Sequence, residues 1–374
     1  MKSEFFHPPQ LSYLNHGSFG ATPKRLIAFQ RKLQEELESH PVRFMSEIYP
    51  QAYKTALSPT AHFLGTSPDN IAFVTNATSG IATVLQSLRL QEGDELICTN
   101  HRYQAVYNSM AYQVRLRGAR LIECAFDSIA PEGDSVRQAI ENKISKRTRL
   151  IIIDAISSIT AHAFELEPII ALAQDRNIPI FVDGAHSPGQ HPVNLDQLGA
   201  DFWTGNFHKW LSAPKGCAVL YASPKWHSTL HAPIPSHGFE NGWQEELAWM
   251  GTFDPTAWLC APESIRQWED WGGWSFVKRN NEQQQWATER ICHHIKGALA
   301  SPTNQLSMRA IVLPIHAKYR DKLYKHLQNK FNTDTFLHAY QEKIILRISA
   351  YSAYTEDKDF ERLIEGLLDF NHAV

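Results

Sequence analysis

The sequence predicts an α/β protein with a large, mainly parallel and doubly wound sheet, followed by a smaller α+β part. Between residues 71 and 221, short apolar segments alternate with amphipathic helical patterns. This order is typical of a parallel sheet that is covered by helices on both faces. Beyond about residue 260 the order changes to helix, strand and helix. Ligands of doubly wound sheets bind beyond the carboxyl ends of the strands, so residues at those ends are candidates for a site.

Seven predicted strands build the large sheet, with helices between several of them. The strands cover residues 71–75, 96–99, 120–126, 150–154, 178–183, 200–204 and 217–221. Ile81, Val84, Leu85 and Leu88 follow the i, i+3, i+4, i+7 spacing of a helix, and residues 168–173 open another. Asp154, Asp183 and Asn206 lie at or just beyond predicted strand ends.

The C-terminal part contains a predicted polar-rich helix over residues 274–295 and predicted strands over 310–313 and 343–349. Thr355 is the predicted N-cap of a last helix, because the acidic residues that follow it favour a helix N-terminus. The buried face of that helix is predicted at Phe360, Leu363, Ile364, Leu367 and Leu368.

Three segments follow from this change of pattern. We predict an N-terminal segment over residues 1–45 that packs with the small domain and the site, a large cofactor-binding domain over 46–260, and a small α+β domain over 261–374.

Composition indicates a globular chain with a small-molecule partner. Lys and Arg total 36 against 39 Asp and Glu, so the net charge of -3 gives no electrostatic reason to expect nucleic acid or an anionic membrane as partner. The five cysteines have no CxxC spacing, which argues against a disulfide framework and a zinc site. No segment approaches the ~20 apolar residues of a membrane span, and the start lacks a signal-peptide core. We expect a cytoplasmic protein without a metal.

A lysine and an aspartate give the strongest chemical signal. Lys209 lies between His208 and Trp210, where partial desolvation lowers the pKa of its amine toward the range in which the amine attacks a carbonyl. Asp183 ends a predicted apolar strand and supplies a fixed negative charge. Pyridoxal phosphate needs this pair, because a lysine binds it covalently and a carboxylate keeps its pyridine nitrogen protonated.

Four further features are candidates, each with a structural alternative. Residues 76–80 (NATSG) can bind a phosphate at a helix start, or cap that helix. His186 can reach the phenolic oxygen of the cofactor or serve the fold. Tyr103 can lie on the cofactor ring or in the core. Arg347, inside an apolar strand, can bind a substrate carboxylate or form an internal salt bridge.

Ordered motifs resemble the class V aminotransferase family of pyridoxal phosphate enzymes. The motifs are LNHGSFGATP (14–23), NATSG (76–80), NHRYQAV (100–106), VDGAHSPG (182–189), GNFHKWLSAPKG (205–216) and GTFDPTAWL (251–259). The most similar branch is the isopenicillin N epimerase group, which includes cysteine-conjugate and sulfoxide lyases. The resemblance extends from residue 11 to about residue 365 and implies fold type I and homodimers with shared sites.

The resemblance implies a role for each matching residue. Lys209 binds pyridoxal 5'-phosphate covalently and moves the Cα proton, while Asp183, His186 and Tyr103 contact the pyridine nitrogen, the phenolic oxygen and the ring face. The implied phosphate contacts are Ala77, Thr78, Asn206 and His208, joined by Thr252 of a second subunit. The implied substrate contacts are Asn15, His16, Arg43 and Arg347.

Two departures from the family pattern affect the expected site. Relatives commonly carry GTRDP where this chain has GTFDP, so Phe253 replaces a basic residue and the charge preference for the substrate can differ. Residues 154–161 lack the Pro and Gly of the usual SPTG-like turn, so Ser158 is a weaker candidate for a cofactor contact.

The expected reaction is carbon–sulfur cleavage by β-elimination of a cysteine conjugate or a cysteine sulfoxide. Desulfurases of the class need a mobile cysteine in the loop before the substrate arginine, and residues 298–346 contain none. Epimerisation needs a second proton donor, and transamination begins with the same loss of the Cα proton, so an amino-acid epimerase and a class V aminotransferase stay open as alternatives. A non-catalytic protein that binds pyridoxal phosphate is the alternative from another class.

Overall fold

The computed structural model describes residues 2–302 and 305–372. Its strands are β1 Ser12–Tyr13, β2 Ile71–Val74, β3 Glu95–Thr99, β4 Arg120–Cys124, β5 Thr148–Asp154, β6 Ile180–Asp183, β7 Phe202–Asn206, β8 Ala218–Ala222, β9 Leu299–Ala300, β10 Met308–His316, β11 Thr333–Asp334, β12 Phe336–Tyr340 and β13 Lys343–Ser349.

Helices connect and cover these strands. They are α1 His16–Phe19, α2 Lys24–Ser39, α3 Pro41–Arg43, α4 Tyr49–Phe63, α5 Ala77–Ser87, α6 Gln104–Arg117, α7 Gly133–Glu141, α8 Glu167–Asp175, α9 Leu195–Leu198, α10 Trp243–Ala248, α11 Thr256–Leu259, α12 Ala261–Asp270, α13 Trp274–His294, α14 Arg320–Phe331 and α15 Asp357–His372. A π-helical turn covers Phe44–Ile48, and 3₁₀ turns cover Lys2–Glu4, Pro68–Asn70, Pro224–Trp226 and Ala317–Tyr319.

The large sheet has seven strands in the order β2-β8-β7-β6-β5-β3-β4. Strands β7, β6, β5, β3 and β4 run parallel, and β8 is antiparallel to both of its neighbours. All seven predicted strands are present, so the prediction of a mainly parallel α/β fold is confirmed. The parallel run brings the carboxyl ends of β5, β6 and β7 to one edge, where Asp154, Asp183 and Asn206 are the last residues.

A second, antiparallel sheet has the order β12-β13-β10-β9. An apolar cluster joins it to α13, α14 and α15, whose buried residues include Ile291, Leu327 and Leu363. The N-terminal segment reaches this part of the molecule, because β1 pairs with β11 and the N–H of Ser349 donates to the carbonyl oxygen of Leu14 at 2.9 Å. The division of the chain at residues 45 and 260 stays a prediction.

The start of the last helix differs from the sequence prediction. α15 begins at Asp357, and the Asp359 carboxylate accepts the backbone N–H of Glu356 at 2.9 Å. The Thr355 hydroxyl instead accepts from the N–H of Tyr351 and donates to Gln283. Thr355 as N-cap was therefore wrong, because tertiary hydrogen bonds take up its side chain.

Other boundaries move by a few residues. β10 covers Met308–His316, well beyond the predicted 310–313, whereas β13 has the predicted bounds. Among the helices that the structure describes, none combines the length and the apolar character that crossing a membrane requires.

Candidate active site

A cavity of about 610 Å³ lies at the carboxyl ends of β5, β6 and β7. It brings together most of the residues that the sequence predicted for the cofactor. Those that line it are Ala77, Thr78, Tyr103, Ser158, Asp183, His186, Asn206, His208 and Lys209. They come from five separate segments, which the parallel sheet places at one edge.

The Lys209 amine faces the cavity beside His186. Its Nζ lies 3.2 Å from Nε2 of His186, and Nδ1 of His186 accepts from the indole N–H of Trp210 at 3.4 Å. Because an indole can only donate, Nε2 carries the hydrogen of the neutral imidazole, and it can donate to the Lys209 amine once that amine has lost its proton. Burial, followed by the charge of Arg347, lowers the pKa of Lys209 to about 8. The amine is therefore ready to lose its proton and attack a carbonyl.

His16 holds the backbone of Lys209. Its Nε2 donates to the carbonyl oxygen of Lys209 at 2.9 Å, and its Nδ1 accepts from the Tyr354 hydroxyl at 2.7 Å. The imidazole is fully buried and stacks on Tyr351 with ring centroids 3.7 Å apart. Burial holds the pKa of His16 well below its usual value, so the ring is neutral. Both nitrogens are used, and His16 lies outside the cavity lining, unlike the substrate contact that the resemblance implied.

Two buried carboxylates, Asp183 and Asp154, form the floor of the cavity. Asp183 Oδ1 accepts the backbone N–H of Ala185 at 3.0 Å. Burial raises the pKa of Asp183, while that N–H and the charge of Lys209 act in the opposite direction. Asp183 thus lies where a carboxylate can pair with a protonated ring nitrogen. Asp154 also ends a predicted strand, but the sequence alone assigns it no role.

The start of α5 lies at one end of the cavity, where the sequence predicted the phosphate. Asn76 caps this helix, since its side-chain oxygen accepts the N–H of Ser79 at 2.9 Å. Asn206 Oδ1 accepts the N–H of Ala77 at 2.9 Å, so these two predicted phosphate contacts bind each other. The side-chain amide group of Asn206 and the first turn around Thr78 remain for an anion. The structure shows the capping, and the capping leaves room for the anion binding that the sequence gave as the alternative.

His208 closes the same end of the cavity. Its Nδ1 donates to the carbonyl oxygen of Cys217 at 3.1 Å, which leaves Nε2 for a ligand. Burial lowers the pKa of His208 to about 4, and the charge of Lys209 acts in the same direction. Tyr103 precedes α6 and lines the cavity with a half-exposed side chain, as a residue that stacks on a ligand ring requires.

Arg347 lies behind the cavity wall, where it is 1% exposed. Its guanidinium donates to the carbonyl oxygen and the hydroxyl of Ser158, to Asn15 Oδ1 at 3.2 Å and to the Ser18 hydroxyl at 3.0 Å. It also stacks over Phe336 at 4.3 Å.

The hydrogen-bond partners of Arg347 among the described residues are all neutral, and its Nε is buried without a partner. The described part of the chain therefore offers Arg347 no carboxylate, and the internal salt bridge considered from the sequence is absent there. Burial lowers the pKa of Arg347 to about 10, at which it keeps its charge at neutral pH. An uncompensated guanidinium next to Ser158 and Ser18, which line the cavity, favours a substrate carboxylate.

Two predicted contacts lie away from the cavity of their own chain. Arg43 is exposed at the end of α3 and lies 3.6 Å from Glu47. Thr252 is exposed before α11. Phe253, which replaces the usual basic residue, packs against Tyr49 and Trp258, with its ring centroid 4.7 Å from that of Trp258. An aromatic cluster thus occupies the place of the missing charge.

The sequence did not single out Ser18, Phe19 and Lys215, which also line the cavity. Each lies inside or next to a quoted motif, but only the folded chain shows which side chains face the cavity. Lys215 donates to the Thr22 hydroxyl at 3.1 Å from an exposed position at the rim. The described residues contain no group of three or more His, Cys, Asp or Glu side chains suited to a metal.

The donor set fits pyridoxal 5'-phosphate. It combines an amine of lowered pKa, two buried carboxylates without an ion pair to a described residue, and a helix start that can receive a phosphate. One floor oxygen, Asp154 Oδ1, is buried without a hydrogen-bond partner, as expected where a ligand belongs.

Curated relatives match over different lengths. A putative L-cysteine desulfhydrase from Oryza sativa is 30% identical over 71% of this chain, and the match covers 59% of that protein. A hercynylcysteine sulfoxide lyase from Schizosaccharomyces pombe is 26% identical, with 99% of this chain and 97% of that protein covered. An isopenicillin N epimerase from Streptomyces clavuligerus is also 26% identical, over 96% and 94% of the two chains. The chain thus spans less than two thirds of the rice relative.

Solved structures share the fold. A cystine C–S lyase in complex with cysteine persulfide superposes with a TM-score of 0.84 at 17% identity, covering 96% of this chain and 98% of the other. The cysteine desulfurase CsdA from Escherichia coli gives a TM-score of 0.81 at 17% identity, covering 100% and 98%. The model of the aminotransferase class-V family matches residues 13–327. The chain therefore belongs to the class-V aminotransferase family of pyridoxal 5'-phosphate enzymes.

Proposed function

We propose that this enzyme cleaves the carbon–sulfur bond of a cysteine conjugate or a cysteine sulfoxide by β-elimination. The reaction removes the Cα proton and breaks the Cβ–S bond, so a thiol or a sulfenic acid leaves. The remaining three-carbon unit hydrolyses to pyruvate and ammonia. The full-length match to a sulfoxide lyase and the matches to cysteine desulfhydrases support this choice.

The observation that carries the proposal is the position of the thiols. Cys98, Cys124, Cys217 and Cys260 are buried, and Cys292 is partly buried at the end of α13. No cysteine is among the described residues that line the cavity, and burial raises the pKa of all five thiols. The protein thus has no thiolate in place to accept sulfur as a persulfide, so the sulfur product leaves free.

The chain's own residues divide the work as follows. Bound pyridoxal phosphate supplies an electron-withdrawing ring that stabilises the charge left on Cα. Arg347 binds the substrate carboxylate and thereby orients the Cα–H bond. Lys209 Nζ takes the Cα proton, while Asp183 holds the charge at the ring nitrogen. His186 Nε2 donates toward the phenolic oxygen once Lys209 has moved, because Trp210 fixes its tautomer.

A specific observation favours epimerisation as the second candidate. An epimerase needs a second group that can return a proton to Cα, and Lys215 is a second amine at the rim of the cavity. A relative along almost the whole chain is an isopenicillin N epimerase. Replacing Lys215 distinguishes the two reactions, because β-elimination should persist without this amine, whereas an epimerisation that uses it should be lost.

The enzyme is further proposed to be a homodimer in a reducing compartment, the cytoplasm. Thr252 and Arg43 are exposed on their own chain and do not line its cavity, which supports a role for them at a site on another subunit. The half-exposed Tyr103 and the exposed Phe19 form an apolar rim that a partner subunit would cover. Five unpaired cysteines support the reducing compartment. Analytical ultracentrifugation tests the dimer, and a Thr252 variant that leaves phosphate affinity unchanged would contradict the shared site.

One experiment separates the reactions. The loaded enzyme is incubated in D₂O with cysteine conjugates, cysteine sulfoxides and plain amino acids, and pyruvate, keto acid and Cα deuterium are measured together. We expect pyruvate in amounts equal to the released sulfur product. Keto acid from plain amino acids would instead indicate transamination, and racemising deuterium exchange that is lost in Lys215→Gln would indicate epimerisation.

A further inference from the structure

Asp154 and Asp183 are neighbours at the floor of the cavity. Asp154 is the last residue of β5 and Asp183 is the last residue of β6, and their Cα atoms are partners in the parallel register. The two side chains are 2% and 3% exposed, and both line the cavity. The reaction proposed above uses Asp183 and leaves Asp154 without a role.

The two carboxylates differ in their partners. Asp183 Oδ1 accepts the N–H of Ala185 at 3.0 Å. The Asp154 carboxylate receives the backbone N–H of Tyr103, but its Oδ1 is buried without a hydrogen-bond partner. An ionised carboxylate oxygen that is buried and unpaired is costly, whereas a neutral acid at the same place is much less so.

The charged groups around Asp154 do not neutralise it. Lys209 acts on both carboxylates, and Arg102 acts on Asp154 but is already paired with Glu123 at 2.9 Å. Cys98 of β3 also interacts with Asp154, but burial raises the pKa of Cys98 to about 12, so it is a neutral thiol. The floor thus holds two carboxylates against one unpaired cation, Lys209.

Two adjacent carboxylates in a site of low polarity cannot both be ionised at little cost. Burial, followed by the negative charge of Asp183, raises the pKa of Asp154 well above its usual value. Burial also raises the pKa of Asp183, but the N–H of Ala185 and the charge of Lys209 favour its ionised form. The single proton therefore belongs on Asp154.

We propose that Asp154 is a protonated carboxylic acid in the working enzyme and limits the pair to one negative charge, carried by Asp183. Asp154 is then a positioning residue, which acts through Asp183 on the ring nitrogen. With both carboxylates ionised, the second charge would oppose the deprotonation of Lys209. With the proton on Asp154, the floor carries one charge for one protonated ring nitrogen. The match between one negative charge and the protonated ring nitrogen rests on the role proposed for Asp183.

Infrared spectroscopy of the full chain tests the proton directly, with the cofactor bound and after its removal. We expect the wild type to show a protonated-carboxyl band at pH 7.5 that Asp154→Asn removes, since the amide replaces the neutral acid at the same size. An unchanged band in Asp154→Asn, or no such band in the wild type, would overturn the proposal. Asp154→Ser serves the same comparison if Asp154→Asn does not fold.

The stability of the cofactor-free chain gives a second, independent readout. A pKa that is raised in the folded state means that the folded chain binds the proton more tightly, so stability is lost as pH rises above the unfolded value of about 3.9. Asp154→Asn lacks that loss, so its melting temperature should rise relative to the wild type between pH 4 and pH 8. Asp94→Asn is the matched control, because buried Asp94 is paired with Arg149 at 3.0 Å and its replacement should destabilise.

A relative melting temperature of Asp154→Asn that falls as pH rises would mean that Asp154 is stabilised as a charged group, which overturns the proposal. Neither measurement uses a substrate. The two proposals can therefore fail separately. If Asp154 is protonated but the enzyme releases no sulfur product, the proposed reaction is contradicted and the proposed protonation of Asp154 is not.

Discussion

The floor and the covering side of the cavity hold their functional groups in different ways. The floor, built by the ends of β5, β6 and β7, holds Asp154, Asp183 and Lys209 with few hydrogen bonds each. The covering side, built by the N-terminal segment and the small sheet, holds His16 and Arg347 through two and four hydrogen bonds.

The different numbers of hydrogen bonds on the floor and on the covering side correspond to two different tasks. Groups on the floor must change their protonation or bonding during the reaction, so burial and charge set their pKa values while their contacts stay few. Groups on the covering side must hold a fixed position, so each of them makes two or more hydrogen bonds. Substitutions on the floor should therefore affect mainly the chemical step, and those on the covering side mainly binding and alignment.

The largest effect is expected from Lys209→Ala. The variant loses both the covalent attachment of the cofactor and the base for the Cα proton, so turnover should fall at least ~10³-fold. The absorbance of the bound cofactor and the rate of product formation measure these losses. Lys215→Ala is the matched control and should keep the attachment. A borohydride-reducible adduct in Lys209→Ala would disprove the assignment.

Asp183→Ala is expected to come next. The ring nitrogen loses its anionic partner, so kcat should fall by about 10²–10³-fold while the cofactor stays attached to Lys209. Steady-state kinetics and the visible spectrum measure the two properties separately. A kcat within a few-fold of the wild type would show that another acid, with Asp154 the nearest in register, serves the ring.

Arg347→Ala should act on binding. A charge-assisted hydrogen bond is worth about 1.5–3 kcal/mol, so KM for the amino-acid substrate should rise roughly ten- to hundredfold with a smaller change in kcat. Arg309→Ala is the control, because Arg309 is a buried arginine on β10 that binds the Ser301 carbonyl oxygen. Equal losses in both variants would indicate a structural role for Arg347.

The smallest effect is expected from His16→Gln. Glutamine cannot reach both Tyr354 and the Lys209 carbonyl, so a net loss of about 1 kcal/mol should lower kcat about fivefold with KM nearly unchanged. The pH midpoint of the cofactor spectrum should shift as well, because the Lys209 backbone moves. Tyr354→Phe, which spares the contact with Lys209, should leave that midpoint in place. A raised KM alone would indicate the substrate contact that the resemblance implied.

The same division explains what the sequence could predict. Asp183 and Lys209 follow apolar strands of a parallel sheet, so local pattern and the resemblance together placed them at one edge. The covering side depends on pairs far apart in the chain: His16 meets Tyr354 across 338 positions and Asn15 meets Arg347 across 332. Local periodicity in the sequence cannot predict a contact between residues so far apart in the chain. The hydrogen bond between Ala77 and Asn206 escaped prediction for the same reason, as did the one from Thr355 to Gln283, 72 positions away.

Of the two lysines that line the cavity in the described part of the chain, Lys209 and not Lys215 is expected to carry the cofactor. The most direct test loads the full chain with pyridoxal 5'-phosphate, reduces it with borohydride and maps the labelled peptide by mass spectrometry. We expect one label per chain, on Lys209. A label on Lys215, or no label on a chain that turns over its substrate, would contradict it.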